Sequence, residues 1–79
     1  MNTEQNENYK RLEKQMREFG GTYDYALVKK AFEYCTEKHN GQKRRSGEPY
    51  YIHPYNVALI IVSLGMDTQS IAAALLHDV

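Results

Sequence analysis

The chain of 79 residues predicts an all-α fold of about four helices, and three observations carry that expectation. Apolar residues recur at helical spacing in segments set apart by turn residues. Helix caps and stops stand where those segments begin and end, at Asp24, Asp67 or Thr68, and at Gly20, Gly21 and Gly65. No stretch alternates with period two over a useful length, so no strand is expected.

Residues 3 to 18 read as a polar helix with a thin apolar stripe of Leu12, Met16 and Phe19. Gly20 and Gly21 end it, because glycine takes the left-handed conformation of a helix stop readily. Asp24 then caps a second helix, in which Leu27, Val28, Ala31, Phe32 and Cys35 form a buried face and His39, Asn40 and Gly41 close the end. Residues 40 to 53, NGQKRRSGEPYYIH, have no helical period and contain Gly41, Gly47 and Pro49, so they read as a loop. Pro54 suits the first turn of a third helix, where a missing N–H is harmless. Val57, Ala58, Ile61, Val62 and Leu64 are its expected inward face, with Gly65 as its end. Asp67 or Thr68 starts a fourth helix, TQSIAAALLHDV, with Ile71, Ala74 and Leu75 facing inward and Val79 a candidate for the same face.

Composition narrows the function classes. An apolar share of 42% with 25% charged residues is ordinary for a soluble globular domain. Ten basic residues balance ten acidic ones, so net charge points to neither a nucleic-acid nor a membrane partner. Cys35 is the only cysteine, which rules out an internal disulfide and fits a reducing compartment; it reads as a small buried apolar residue. The polar start MNTEQNENYK lacks the apolar core of a signal peptide, and the run VALIIVSLGM is too short to span a bilayer. A cytoplasmic protein is expected.

Three features could carry chemistry. His77 and Asp78 set an imidazole beside a carboxylate, but neighbours on a helix point about 100° apart and need ligands from another element to close a metal site. Alone, the pair is more often an accident of composition than a metal site. His53 stands at a helix entrance, a rigid place for a ligand, though by itself it reads first as a histidine that caps or hydrogen-bonds locally. The loop KRRSGEPYY gathers Lys43, Arg44 and Arg45 beside Tyr50 and Tyr51; arginine stacks on bases and forks to phosphate, while a solvated basic turn is the plainer reading. His39 is assigned to structure at a helix end.

The order of these features decides more than any one of them. The stretch HNGQKRRSGEPYYIHP, residues 39 to 54, followed by NVALIIVSLGMDTQSIAAALLHDV, closely resembles the N-terminal HD hydrolase domain of the RelA/SpoT homologues, which make or destroy the alarmones ppGpp and pppGpp. The resemblance covers roughly residues 24 to 79, so the chain divides into an N-terminal helix and turn, 1–23, and the N-terminal part of an HD domain, 24–79.

The resemblance implies a helical HD fold with a nucleotide-binding loop between its second and third helices. It implies that His53, His77 and Asp78 ligate a manganese ion, Mn2+, together with an aspartate from far downstream. Arg44 is then the residue that stacks on guanine, with Arg45 and Ser46 lining the nucleotide, and the reaction is 3′-pyrophosphate hydrolysis of ppGpp. The family pattern continues past Val79 with a Glu-Asp pair and further helices, which leads us to expect a piece of a larger hydrolase, inactive by itself. Self-association through uncovered apolar surface around Ile61, Ile71 and Leu75 is a further expectation. The competing readings are a non-catalytic nucleotide-binding or interaction piece, and an HD phosphohydrolase of another kind, against which RRSGEPYYIHP argues.

Overall fold

The computed structural model describes residues 1–77, so Asp78 and Val79 lie outside the description that follows. Four helices succeed one another: α1 over Thr3–Phe19, α2 over Tyr25–Lys38, α3 over Ile52–Ser63 and α4 over Thr68–Leu76. The expected all-α class and helix count hold, and the one β-type pairing among the described residues is a single antiparallel bridge between Lys43 and Pro49.

The helix starts follow from their caps. Asn2 accepts the amide of Gln5 at 2.8 Å while its own amide donates to the Gln5 side chain at 3.0 Å, a reciprocal capping box. The Asp24 carboxylate accepts from the amide of Leu27 at 3.1 Å, and that of Asp67 from the amide of Ser70 at 2.9 Å. Of the two candidate caps for α4, Asp67 takes the role. Thr68 is buried instead, and its hydroxyl accepts from the amide of Asp24 at 3.0 Å, pinning the start of α2 to the start of α4.

α4 packs on both α3 and α2, and α1 lies across α3 with a smaller contact on α2. The common core takes Tyr9, Leu12 and Met16 from α1, Val28, Phe32 and Cys35 from α2, and Ala58, Val62, Ile71 and Leu75 from the other two helices. Phe32 is its hub, with the rings of Tyr9, Tyr51 and Tyr55 at 5.6, 5.9 and 6.0 Å. The radius of gyration, 11.8 Å, matches the ~11.6 Å expected of one domain this long, so residues 1–23 and the rest meet in one core.

Several inward assignments need correction. Leu64 is 67% exposed, because it stands two residues past Val62 and points to the opposite side of α3. Leu27 and Phe19 are also exposed, one at the edge of the α2 stripe and the other at the last residue of α1, beside its Gly20 cap. Ile71 and Leu75 are fully buried and Ile61 is half-buried, so the apolar surface left open lies elsewhere, at Leu27, Tyr34, Ile60, Leu64 and Leu76. α3 begins at Ile52, two residues before Pro54. The proline still falls in the first turn, where no intrahelical N–H bond is missed, and His53 sits inside the helix rather than before it. No helix among the described residues is long and apolar enough to cross a membrane.

Candidate metal and nucleotide site

The loop between α2 and α3 is a closed structure, despite lacking a helical period. The amide of Tyr50 donates to the Gln42 carbonyl at 2.9 Å, and that of Arg44 to the Glu48 carbonyl at 2.9 Å, on either side of the Lys43–Pro49 bridge. A turn closes the tip, with the Gly47 amide donating to the Arg44 carbonyl at 2.9 Å. Gly47 has φ +89°, where a side chain would be strained, so glycine is required for the chain to return. Arg44, Arg45 and Ser46 are held at this tip, exposed to solvent. With Lys43 and Tyr50 they line an open concavity of about 540 Å³.

No carboxylate neutralises those arginines: among the described residues ion pairs occur only within α1, at Lys14–Glu18 and Arg17–Glu13. Three cations on a turn with an aromatic wall can receive a planar base and anionic oxygens together. Tyr51, offered by the sequence as a second aromatic face, is buried and takes no part. Its ring meets Phe32, and its hydroxyl accepts from the Asn8 side chain at 2.7 Å.

His53 lies half-buried in the first turn of α3, and His77 caps the end of α4. Packing of α3 on α4 brings the two rings to 6.4 Å between centres, at 61°. A divalent ion holds an imidazole nitrogen at about 2.1 Å, so two rings on one ion have centres roughly 4.7 to 6.6 Å apart. The observed separation falls at the wide end of that span, which corresponds to two nitrogens about 150° apart at the ion. The Nδ1 of His77 lies 3.1 Å from the Ala74 carbonyl, which can only accept, so Nδ1 is the donor, and in the neutral imidazole the lone pair is on Nε2. A ring oriented by a backbone carbonyl in this way is the usual arrangement of a metal-binding histidine.

The donor set of this pair therefore suits a divalent metal. Among the described residues no group of three or more His, Cys, Asp or Glu is assembled, and Asp78, the expected carboxylate ligand, lies outside them. His39 stays a structural residue, buried at the end of α2 with its Nδ1–H donating to the Gln42 side chain at 3.0 Å. Sequence reasoning missed what stands between loop and helix pair: the Tyr50 ring packs against His39 at 4.7 Å and against His53 at 6.5 Å.

Residues 31–79 match the family model described as HD domain. The chain belongs to the HD domain family. Its relatives place it with the RelA/SpoT homologues that the loop motif resembles. It is 59% identical over 51 residues to the guanosine-3′,5′-bis(diphosphate) 3′-pyrophosphohydrolase of Aquifex aeolicus, covering 65% of this chain and 7% of that protein. It is 47% identical over 62 residues to the probable GTP pyrophosphokinase of Mycobacterium leprae, with 78% and 8% covered. The bifunctional (p)ppGpp synthase/hydrolase RelA of Mycobacterium tuberculosis is 45% identical over 62 residues, with the same coverage. The chain thus spans less than a tenth of the length of these relatives. No solved structure matches it.

Proposed function

We propose that this chain carries the metal-ligand histidines and the nucleotide-contacting loop of a (p)ppGpp 3′-pyrophosphohydrolase. The approach of His53 to His77, beside a loop that presents Arg44, is the observation that supports the reading most directly. His53 and His77, with Asp78, would hold a divalent ion, and their mixed nitrogen and oxygen donors suit manganese. Such an ion, when bound, polarises a phosphoryl oxygen and makes a bound water acidic enough to act near neutral pH.

The remaining work falls to the chain's own residues. Arg44 lays its planar guanidinium against the guanine, and Arg45 and Ser46 offer donors to the nucleotide's oxygens. The closed turn fixes where those groups sit before the nucleotide arrives, which lowers the ordering cost of binding. Hydrogen bonding to Ala74 keeps the His77 lone pair on Nε2, so no tautomer change precedes ligation.

The test combines metal and nucleotide titrations followed by NMR. Mn2+ is expected to broaden the imidazole signals of His53 and His77 before any others, and ppGpp to shift the amides of residues 44 to 46. Arg44→Ala should weaken the nucleotide response at least tenfold while leaving the manganese response unchanged. Hydrolysis is read on the intact protein as pyrophosphate release from ppGpp, with His53→Ala abolishing it. Manganese broadening that begins elsewhere and spares both histidines refutes the assignment.

A further inference from the structure

We infer that Tyr50 is a positioning residue that sets the His53 ring for ligation and ties it to the arginine turn. The inference rests on the metal reading above. Four rings stand in a row: His39 to Tyr50 at 4.7 Å, Tyr50 to His53 at 6.5 Å, and His53 to His77 at 6.4 Å. Tilted and edge-on pairs at these separations are attractive and directional, so each ring restrains the next.

The inner end of the row is fixed. His39 is buried, and its hydrogen bond to Gln42 is backed by the Gln42 side-chain amide, which donates to the Lys38 carbonyl at 3.3 Å. The backbone repeats the clamp, since the Gln42 amide donates to the His39 carbonyl at 3.0 Å and the Tyr50 amide to the Gln42 carbonyl at 2.9 Å. Tyr50 is thus held by both its main chain and one face of its ring. His53 takes its place from the same residue, with its amide donating to the Tyr50 carbonyl at 3.2 Å.

The two metal-site histidines differ in how they are oriented. His77 has the Ala74 carbonyl. Among the described residues no hydrogen bond holds the His53 ring, so packing has to do that work, and Tyr50 supplies it. Tyr50 also walls the concavity beneath Arg44, which makes it the side chain shared by the nucleotide loop and the metal pair.

The experiment uses the 79-residue chain, its histidine ring signals without metal, and its Mn2+ affinity. Tyr50→Leu is expected to displace and broaden the His53 ring signals in the metal-free chain and to weaken Mn2+ binding about tenfold. Tyr50→Phe keeps the ring and should leave the metal-free His53 signals in place. Gln42→Ala, an exposed change that loosens His39, should move them in the same direction as Tyr50→Leu by a smaller amount, and it decides the matter if Tyr50→Leu does not fold. Unchanged His53 signals and affinity in Tyr50→Leu and Gln42→Ala overturn the inference, as does Tyr50→Phe displacing His53 as far as leucine does. His53→Ala is the separate control: wild-type Mn2+ affinity there defeats the metal reading itself, whatever Tyr50 does.

Discussion

Replacing Phe32 by leucine tests whether the aromatic hub supports the helix that carries His53. Phe32 is fully buried and contacts three tyrosine rings, two of which, Tyr51 and Tyr55, lie at the start of α3. Leucine leaves about 25 Å³ unfilled, worth about 0.6 kcal/mol at the usual cavity cost. Losing three ring pairs removes a further ~0.5–1.5 kcal/mol each. The sum is about 2–5 kcal/mol, a large part of the ~4–12 kcal/mol expected for a domain of this length. With a urea dependence near ~1 kcal/mol per molar, the unfolding midpoint should fall by about 2–5 M. Urea unfolding followed by circular dichroism reads it directly. A midpoint shift below about 1 M, equivalent to less than ~1 kcal/mol, would show that the three rings reorganise around leucine and that the hub does not organise the start of α3.

Two further outcomes follow from other contacts. Burial first, and then the Glu13 carboxylate, push the Tyr9 hydroxyl from 10.0 up to about 12, so its share of stability is intact below pH 10 and lost between pH 10 and 12. Burial raises Tyr51 and Tyr55 in the same direction, so Tyr9→Phe should make the alkaline loss of stability shallower without abolishing it; an identical profile would refute the assignment. Tyr51→Phe removes the acceptor of the 2.7 Å bond from Asn8 and should cost about 1 kcal/mol in the same denaturation assay, where no change would mean that the bond adds nothing.

The helices were legible because their signals are local. Asp24 and Asp67 each sit three residues before an amide they cap, and Val28, Ala31, Phe32 and Cys35 repeat at the spacing that a helix turns into one face. What failed were the ends of those faces. Leu64, two residues past Val62, falls on the far side of α3, and Leu27 sits at a stripe's edge, where burial depends on where the neighbouring helix stops, which no local pattern records. The start of α3 slipped for a related reason. A proline is accepted anywhere in the first turn, so Pro54 bounds the start only to within a few residues, and the chain uses that latitude to take His53 into the helix.

The site divides in the same way. Arg44 to Ser46 could be singled out as a charged turn, and Gly47 as the residue that lets it close, because charge and left-handed glycine both show in one dimension. Nothing in the spacing says that His53 and His77, 24 positions apart, come within 6.4 Å of each other; that follows from α3 packing on α4. The two tyrosines are the sharpest case. Tyr50 and Tyr51 are adjacent and chemically identical, yet one packs on His39 and His53 while the other enters the core against Phe32. The residues lie at the turn into α3, so neighbouring side chains leave in different directions, and the fold gives them separate tasks. A motif that reads YY therefore holds one residue for stability and one for the site, and the assays separate them: Tyr51→Phe should move the urea midpoint and spare the His53 signals, whereas Tyr50→Leu should move the His53 signals.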